Sequence, residues 1–295
     1  DAFLGSSAAL RRHLRGIRRA AASRAPILIL GDAGTGRSTL VRAVHLSSLY
    51  RDGPFVELDA AAVPTSLFEG DLFGHEAGAF TGAEQRNPGR VARAQGGTLV
   101  LDHVEELPLA VQPKLLRLIA ERRFTPLGGE ETVAEVRFIA TSLEDLARRV
   151  QRGAFRQDLY YRLEVLAFRL PRLCDRIEDL PRLVASILGD LGERFERPGL
   201  EISPGALQWM SRYSWPGNVR QLRNLLERTL VLSDDPILDP APPQEGGRPD
   251  TLAEVERRHL IRALAFARGN QTRAAEVLGI SRKALWEKRR RFGLP

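Results

Sequence analysis

Apolar and polar positions along this chain follow two periods, and the switches between them lay out its elements. Over 6–22 the apolar residues Leu10, Leu14 and Ile17 recur at three- and four-residue spacing, which predicts one amphipathic helix. Ile27-Leu28-Ile29-Leu30 is a short unbroken apolar run, the pattern of a strand buried on both faces of a parallel sheet. Phe55–Leu58, the stretch 96–103 and Val136–Thr141 repeat that pattern, and helical stretches at Leu40–Leu46, Pro64–Glu69 and Leu109–Ala120 fall between. Gly128-Gly129 marks a hairpin turn. Strands alternating with helices predict an α/β core around a parallel sheet. Beyond 176 the pattern turns wholly helical, over 179–195, 204–212 and 217–232. A Pro- and Gly-rich segment at 240–249 reads as a linker. Three further helices, at 251–267, 271–278 and 282–292, predict a small all-α unit at the end.

The first strand runs straight into Gly31-Asp32-Ala33-Gly34-Thr35-Gly36-Arg37-Ser38-Thr39 and then a helix. Glycines let backbone N–H groups converge on phosphate oxygens, and a helix N-terminus adds partial positive charge. The spacing is that of a phosphate-binding loop except that Arg37 stands at the lysine position. A forked guanidinium keeps the charge but not the compactness of an ammonium. The strand at 96–103 ends in Asp102-His103, where an acid is placed to hold magnesium beside phosphate. His103 is open to two readings, a substitute base and a chemically idle polar residue at a strand end.

Gly78-Ala79-Phe80-Thr81-Gly82-Ala83 follows Leu72-Phe73-Gly74-His75-Glu76. Its flanking glycines turn the backbone and present one ring and one hydroxyl, the composition of a contact loop rather than a catalytic centre. At these residues the chain resembles bacterial enhancer-binding proteins, AAA+ ATPases that activate the sigma-54 form of RNA polymerase. The resemblance runs from Phe3 to Leu294. It implies a P-loop α/β core with a helical lid, ATP or ADP with Mg2+ as ligands, and Phe80 and Thr81 as the sigma-factor contact. Ser38 and Asp102 would serve the magnesium ion. Gly153-Ala154-Phe155-Arg156-Gln157-Asp158-Leu159-Tyr160-Tyr161-Arg162-Leu163 is similar to the family's FREDLYYRL. By that likeness Arg156 and Arg162 are the catalytic arginines that reach a neighbouring subunit's nucleotide. Trp215-Pro216-Gly217-Asn218-Val219-Arg220 is similar to WPGNVREL, with Arg220 as a nucleotide sensor.

Several positions depart from the family pattern. Arg37 replaces Lys, Ser38 an acidic residue, Asp59 an Asn and His103 the water-polarising Glu, while Ser142-Leu143 stand where the family has Thr-Asn. Arg289 occupies a position usually filled by Leu.

Charge locates a second function. The chain carries 44 basic and 37 acidic residues, a net +7. Residues 251–295 hold eleven Arg or Lys against four Glu, a surplus equal to that of the whole chain. A neutral body with a basic end points to nucleic acid. The sequence from Gly269 to Leu294 resembles a Fis-type helix-turn-helix. Arg282, Lys283 and Trp286 are then expected on the groove side, and Lys288, Arg290 and Arg291 at phosphates.

The single cysteine, Cys174, excludes an internal disulfide and fits a reducing cytoplasm. No apolar run approaches the ~18 residues of a membrane span. The chain opens at Asp1 without methionine and reads as part of a longer protein. The expected organisation is a nucleotide-binding core at 1–172, a lid at 173–235, a linker at 236–250 and a DNA-binding domain at 251–295. The expected partners are enhancer-like DNA, sigma-54 RNA polymerase and further subunits, from a dimer to a hexameric or mixed ring. Two mechanisms stay open. The intact contact loop, Asp102, Arg156, Arg162 and Arg220 favour an ATPase that remodels polymerase. Arg37, Asp59, His103 and Leu143 favour a regulator whose hydrolysis is weak or absent.

Overall fold

A computed structural model describes residues 5, 7–80, 82–243, 260, 264, 271–280 and 282–292. They fall into two compact units, 1–242 and 243–295.

Five parallel strands make the sheet of the first unit: β1 (Ile27–Leu30), β2 (Phe55–Asp59), β3 (Thr98–Asp102), β6 (Arg137–Ser142) and β7 (Leu166–Arg169), in the order β2-β3-β6-β1-β7. The continuous apolar runs are explained by helices on both faces. Leu28, Leu99 and Leu101 enter one core cluster, while Ile27, Ile29 and Val100 enter the other. Alternate residues thus feed opposite faces, as strand geometry requires. Each such side chain, fully buried, contributes ~1.5–3 kcal/mol. Register pairs Asp59 with Asp102, so the acidic strand ends lie side by side. The short strands β4 (Arg123–Phe124) and β5 (Thr132–Val133) pair antiparallel around the Gly128-Gly129 turn.

The helix expected over 6–22 is two helices, α1 (Ala8–His13) and α2 (Ile17–Ala21). Gly16 sits between them at φ 86°, a left-handed conformation that ends one helical run and starts another. Helix α6 (Gln112–Glu121) begins later than its apolar pattern implied, with a proline in its first turn and Leu109 exposed.

The remaining helices of the unit form their own core. Helix α9 (Leu180–Arg194) packs Leu183, Val184, Ile187 and Leu191 against Leu222, Leu226 and Leu230 of α11 (Asn218–Leu232). Trp215 fills the centre and donates its indole N–H to the Met210 carbonyl at 2.9 Å. Between them, α10 (Pro204–Met210) is capped by Ser203 and opens on a proline, both favourable at a helix start.

In the second unit α12 (Gln271–Val277) and α13 (Arg282–Arg291) bury Ala274, Ala275 and Leu285 together with Leu260. Gly279 at φ 63° follows α12, and the Ile280 N–H reaches back to the Ala275 carbonyl at 3.1 Å. That six-to-one bond is the closure glycine makes at a helix end. Of the helix expected over 251–267 only Leu260 and Leu264 are described, both helical. The rest, with Ser281, lies outside the described residues.

Candidate nucleotide site and contact surfaces

The glycine loop leaves β1 and enters α3 (Arg37–Leu46) through Gly34 at φ 76° and Gly36 at φ 104°. Its carbonyls are taken by the helical part of the same unit. Val219 N–H and Arg220 N–H donate to the Gly34 carbonyl at 2.9 and 3.3 Å. Asn218 Nδ2 donates to the Ala33 carbonyl at 3.0 Å, and Arg176 Nη2 to the Thr35 carbonyl at 2.8 Å. A Cβ at Gly34 would stand 2.4 Å from the Gly217 carbonyl. The first-turn amides of α3 lack helical partners and are the groups left for an anion. Ser38 and Thr39 are exposed there, and Gly31 and Thr35 are buried.

Three of the departures from the family pattern meet at the strand ends. Arg37 reaches across to His103, with Nη2 at 3.2 Å from Nε2. His103 Nδ1 lies 2.7 Å from Asp59 Oδ1 and 3.8 Å from Asp102 Oδ2. A guanidinium only donates. Nε2 must therefore accept, and the ring proton sits on Nδ1 and is donated to Asp59. Both ring nitrogens are committed. The backbone of His103 is left-handed, φ 52°, which turns the imidazole back over the strand ends. Arg37 is 8% exposed, and its Nη1 is buried with no hydrogen-bond partner. Asp102 accepts from the Thr141 hydroxyl. Among the described residues, Asp59, Asp102 and His103 are the His and carboxylate group close enough together to hold a cation.

The position where a first sensor is expected carries Leu143, which has no side-chain amide. Leu143 is 38% exposed and uses its backbone N–H on Glu105 Oε1 at 3.0 Å. Glu105 is buried, and Glu106 instead pairs outward with Arg149, so neither carboxylate takes the place of a Glu at 103.

Arg156 immediately precedes α8 (Gln157–Leu163) and Arg162 lies in its last turn, both exposed. Gln112 Oε1 accepts the Arg156 backbone N–H at 2.8 Å and so fixes where the segment starts. The Arg156 guanidinium forks onto Asp158 at 3.1 and 2.7 Å. That hydrogen bond first, and its charge second, raise the arginine's pKa; the same bond holds the Asp158 carboxyl below its ordinary value. Arg162 Nη2 reaches only the Ala120 carbonyl, at 3.4 Å. The Arg220 side chain is exposed beside the loop.

Arg176, Asn218 and Thr141 are the site residues missed in sequence. Burial lowers the Arg176 pKa, opposed by Asp179. Asn218 at φ 51° also accepts the Leu173 N–H at 2.8 Å; its Asn identity was visible, its second partner was not.

The contact loop projects from a paired stem. His75 and Asn87 exchange backbone bonds at 2.9 Å, and Glu76 N–H donates to Leu127 of the β4–β5 turn. Gly78 at φ 80° and Gly82 at φ 99° turn the tip, which is closed by Gly78 N–H to the Ala83 carbonyl at 2.7 Å. Ala79 lies beside Gly128, and Ala83 is buried. Phe80 is 43% exposed, with its ring edge-on to His75 at 4.9 Å. Thr81 lies outside the described residues.

On α13, Trp286 is 55% exposed and Arg290 stands over its ring at 5.6 Å. Arg282 is exposed, and Lys288 and Arg289 are half-buried. The Nε of Arg289, the residue that stands where the family usually has Leu, is buried. The Lys283 and Arg291 side chains lie outside the described residues.

A parallel sheet in this order, a glycine loop at its centre, an acid at the neighbouring strand end and a helical lid on the loop define a P-loop fold of the AAA+ class. Residues 3–169 match the sigma-54 interaction domain, 174–243 the AAA+ ATPase lid domain, and 251–292 the Fis-family bacterial regulatory protein domain. The chain therefore belongs to the sigma-54-dependent enhancer-binding proteins. It is 40% identical to the regulatory protein AtoC of Escherichia coli K12 over 93% of this chain and 64% of that one. It is 42% identical to the transcriptional regulatory protein ZraR of Salmonella typhimurium over 97% and 68%. The chain thus spans about two-thirds of the length of these relatives. The crystal structure of NtrX from Brucella abortus in complex with ATP superimposes with a TM-score of 0.74 at 32% identity, over 99% of this chain and 70% of that one.

Proposed function

We propose that this protein regulates transcription by binding enhancer-like DNA through its C-terminal helices and nucleotide and sigma-54 through its AAA+ part, with ATP hydrolysis weak or absent. The observation that carries the last clause is the double engagement of His103. A base that activates water needs a free acceptor within reach. Here Nε2 accepts from Arg37 and Nδ1 donates to Asp59. Loss of a positioned base lowers a rate by ~10²–10⁴. The glycine loop, the α3 amides and Arg220 hold ATP or ADP. NtrX, similar over nearly this whole chain, was solved with each.

Asp102 and the exposed Ser38 hydroxyl are hard oxygen donors, so the residues present fit Mg2+. When bound, the ion neutralises charge on phosphoryl oxygens. Arg156 and Arg162 complete the site of a neighbouring subunit in a ring, and the Phe80–Thr81 tip meets the sigma factor. Core 1–172, lid 173–235, linker 236–250 and DNA-binding domain 251–295 divide this labour, in the cytoplasm.

The test is steady-state ATP turnover across protein concentrations, beside the R37K/H103E double variant. The native chain is expected to turn over well below ~1 per second, the low end of ordinary enzymes, and the double variant to gain. Native turnover at that rate or faster, with a concentration-dependent onset, would overturn the weak-hydrolysis reading. It would favour a fully active remodelling ATPase, the reading that Asp102, Arg156 and Arg162 support.

A further inference from the structure

Arg37 raises a problem that the weak-hydrolysis reading leaves unanswered. Its guanidinium is buried, and one end is spent on an uncharged ring nitrogen, while Nη1 is buried with no partner. A buried charge without a counter-charge is strongly unfavourable, and an unmade bond at such a group adds to the penalty. The nearest carboxylate in the chain of contacts, Asp59, touches His103 and not Arg37. The arrangement therefore stabilises the guanidinium's pose without neutralising it. Arg37 is also the first residue of α3, a ten-residue helix, so its backbone belongs to the N-terminal turn whose amides lack helical partners. Both features ask for the same thing, an anion with several acceptor oxygens.

We propose that His103 and Asp59 are positioning residues for Arg37, and that the three together hold a guanidinium ready for a phosphoryl group of a nucleoside di- or triphosphate. This rests on the nucleotide-binding reading above and assigns His103 to binding, not to water activation. Asp59 orients the imidazole through Nδ1, and the imidazole orients the guanidinium through Nε2. A long, forked side chain loses rotamer freedom on binding; a fixed acceptor at one end removes part of that loss in advance. A lysine at 37 has no planar fork for the imidazole to align. The His103 contribution to binding must therefore depend on Arg37.

The experiment is calorimetric titration of the full chain with ADP, ATP and inorganic phosphate, with thermal melting of every variant. H103A is expected to weaken ADP binding about tenfold or more, the worth of one charge-assisted hydrogen bond. H103Q, whose amide oxygen accepts from Arg37, is expected to stay within about threefold of the parent. In an R37K background the same H103A change is expected to alter affinity by less than about twofold. Coupling that appears also with inorganic phosphate supports a phosphoryl site independent of the nucleoside. Coupling present with ADP but larger with ATP supports the terminal phosphoryl group as a further Arg37 partner.

Binding unchanged in H103A, or an equal loss in the parent and R37K backgrounds, would overturn the proposal. H103Q keeps the test informative if H103A melts early, because its loss of affinity with an unchanged melt also overturns it. A parent chain that binds DNA and melts cooperatively yet takes up no nucleotide overturns the nucleotide-binding reading itself. That result is distinct from nucleotide binding without coupling.

Discussion

Gly34→Ala should uncouple the lid from the nucleotide loop, and the size of the effect follows from the packing. Gly34 holds φ 76°, and a Cβ there would meet the Gly217 carbonyl at 2.4 Å and the Arg220 Cβ at 3.0 Å. The left-handed conformation alone costs an alanine ~1–2 kcal/mol. The contact cannot be absorbed by a flexible side chain, since the obstructing atom is backbone. The start of α11 must therefore withdraw by about 1 Å, the difference between 2.4 Å and ordinary van der Waals separation. That movement stretches the Val219 and Arg220 bonds to Gly34 and the Asn218 bond to Ala33, each worth ~0.5–1.5 kcal/mol net. The expected total is ~3–5 kcal/mol, or a fall in melting temperature of roughly 10 °C. Urea unfolding followed by near-ultraviolet signal from Trp215, buried in the lid core, measures it. A loss below ~1 kcal/mol, with nucleotide affinity unchanged, would refute the claim that loop and lid are latched through this residue.

Asn218→Ala leaves the buried Leu173 N–H without its acceptor and should destabilise by ~1–3 kcal/mol in the same assay; combined with Gly34→Ala it should add less than its separate value, because both changes break the same latch. Leu285→Ala empties the small core of the second unit and is expected to lower that unit's stability by ~2–5 kcal/mol, seen in calorimetry as an early transition while that of residues 1–242 stays put. The Asp158 carboxyl should titrate below its ordinary value by NMR and return to it in R156A, because the Arg156 fork favours the charged form. Its ion pair is thus present above the ordinary carboxylate range and is lost only as pH falls through the depressed value, so Arg156 keeps its orientation throughout neutral pH.

The strands and the glycine loop were legible because their signals are local. An unbroken apolar run of four residues ahead of a glycine cluster has few other uses, and β1 lies where the pattern put it. The helix over 6–22 was misread because apolar spacing continues smoothly across Gly16, and only the left-handed backbone there reveals the break. The contact-loop motif was legible as composition. Its anchoring on Leu127 was not, because that partner comes from the distant β4–β5 turn. Arg176 carried no signal at all. It sits among other charged residues in sequence and becomes a site residue only through its bond to the Thr35 carbonyl.

The departures at 37, 59 and 103 look unrelated in sequence and form one bonded series in space. That contact changes what they mean. By the family pattern the three positions carry a cation, an uncharged amide and an anion. Here they carry a cation, an anion and an imidazole that the Arg37 bond requires to accept at Nε2. Asp102 still ends β3, while the negative charge of position 103, just past it, has moved to the end of β2, the next strand in the sheet, and the imidazole spans the gap. Independent decay of a disused site has no reason to conserve local charge or to leave these three replaced side chains bonded to one another. A site retained for holding nucleotide has both reasons, since an unpaired charge at these half-buried strand ends would destabilise the fold and an added negative one would repel phosphate. The pattern of replacement therefore argues for a site kept under constraint after its water-activating carboxylate was given up.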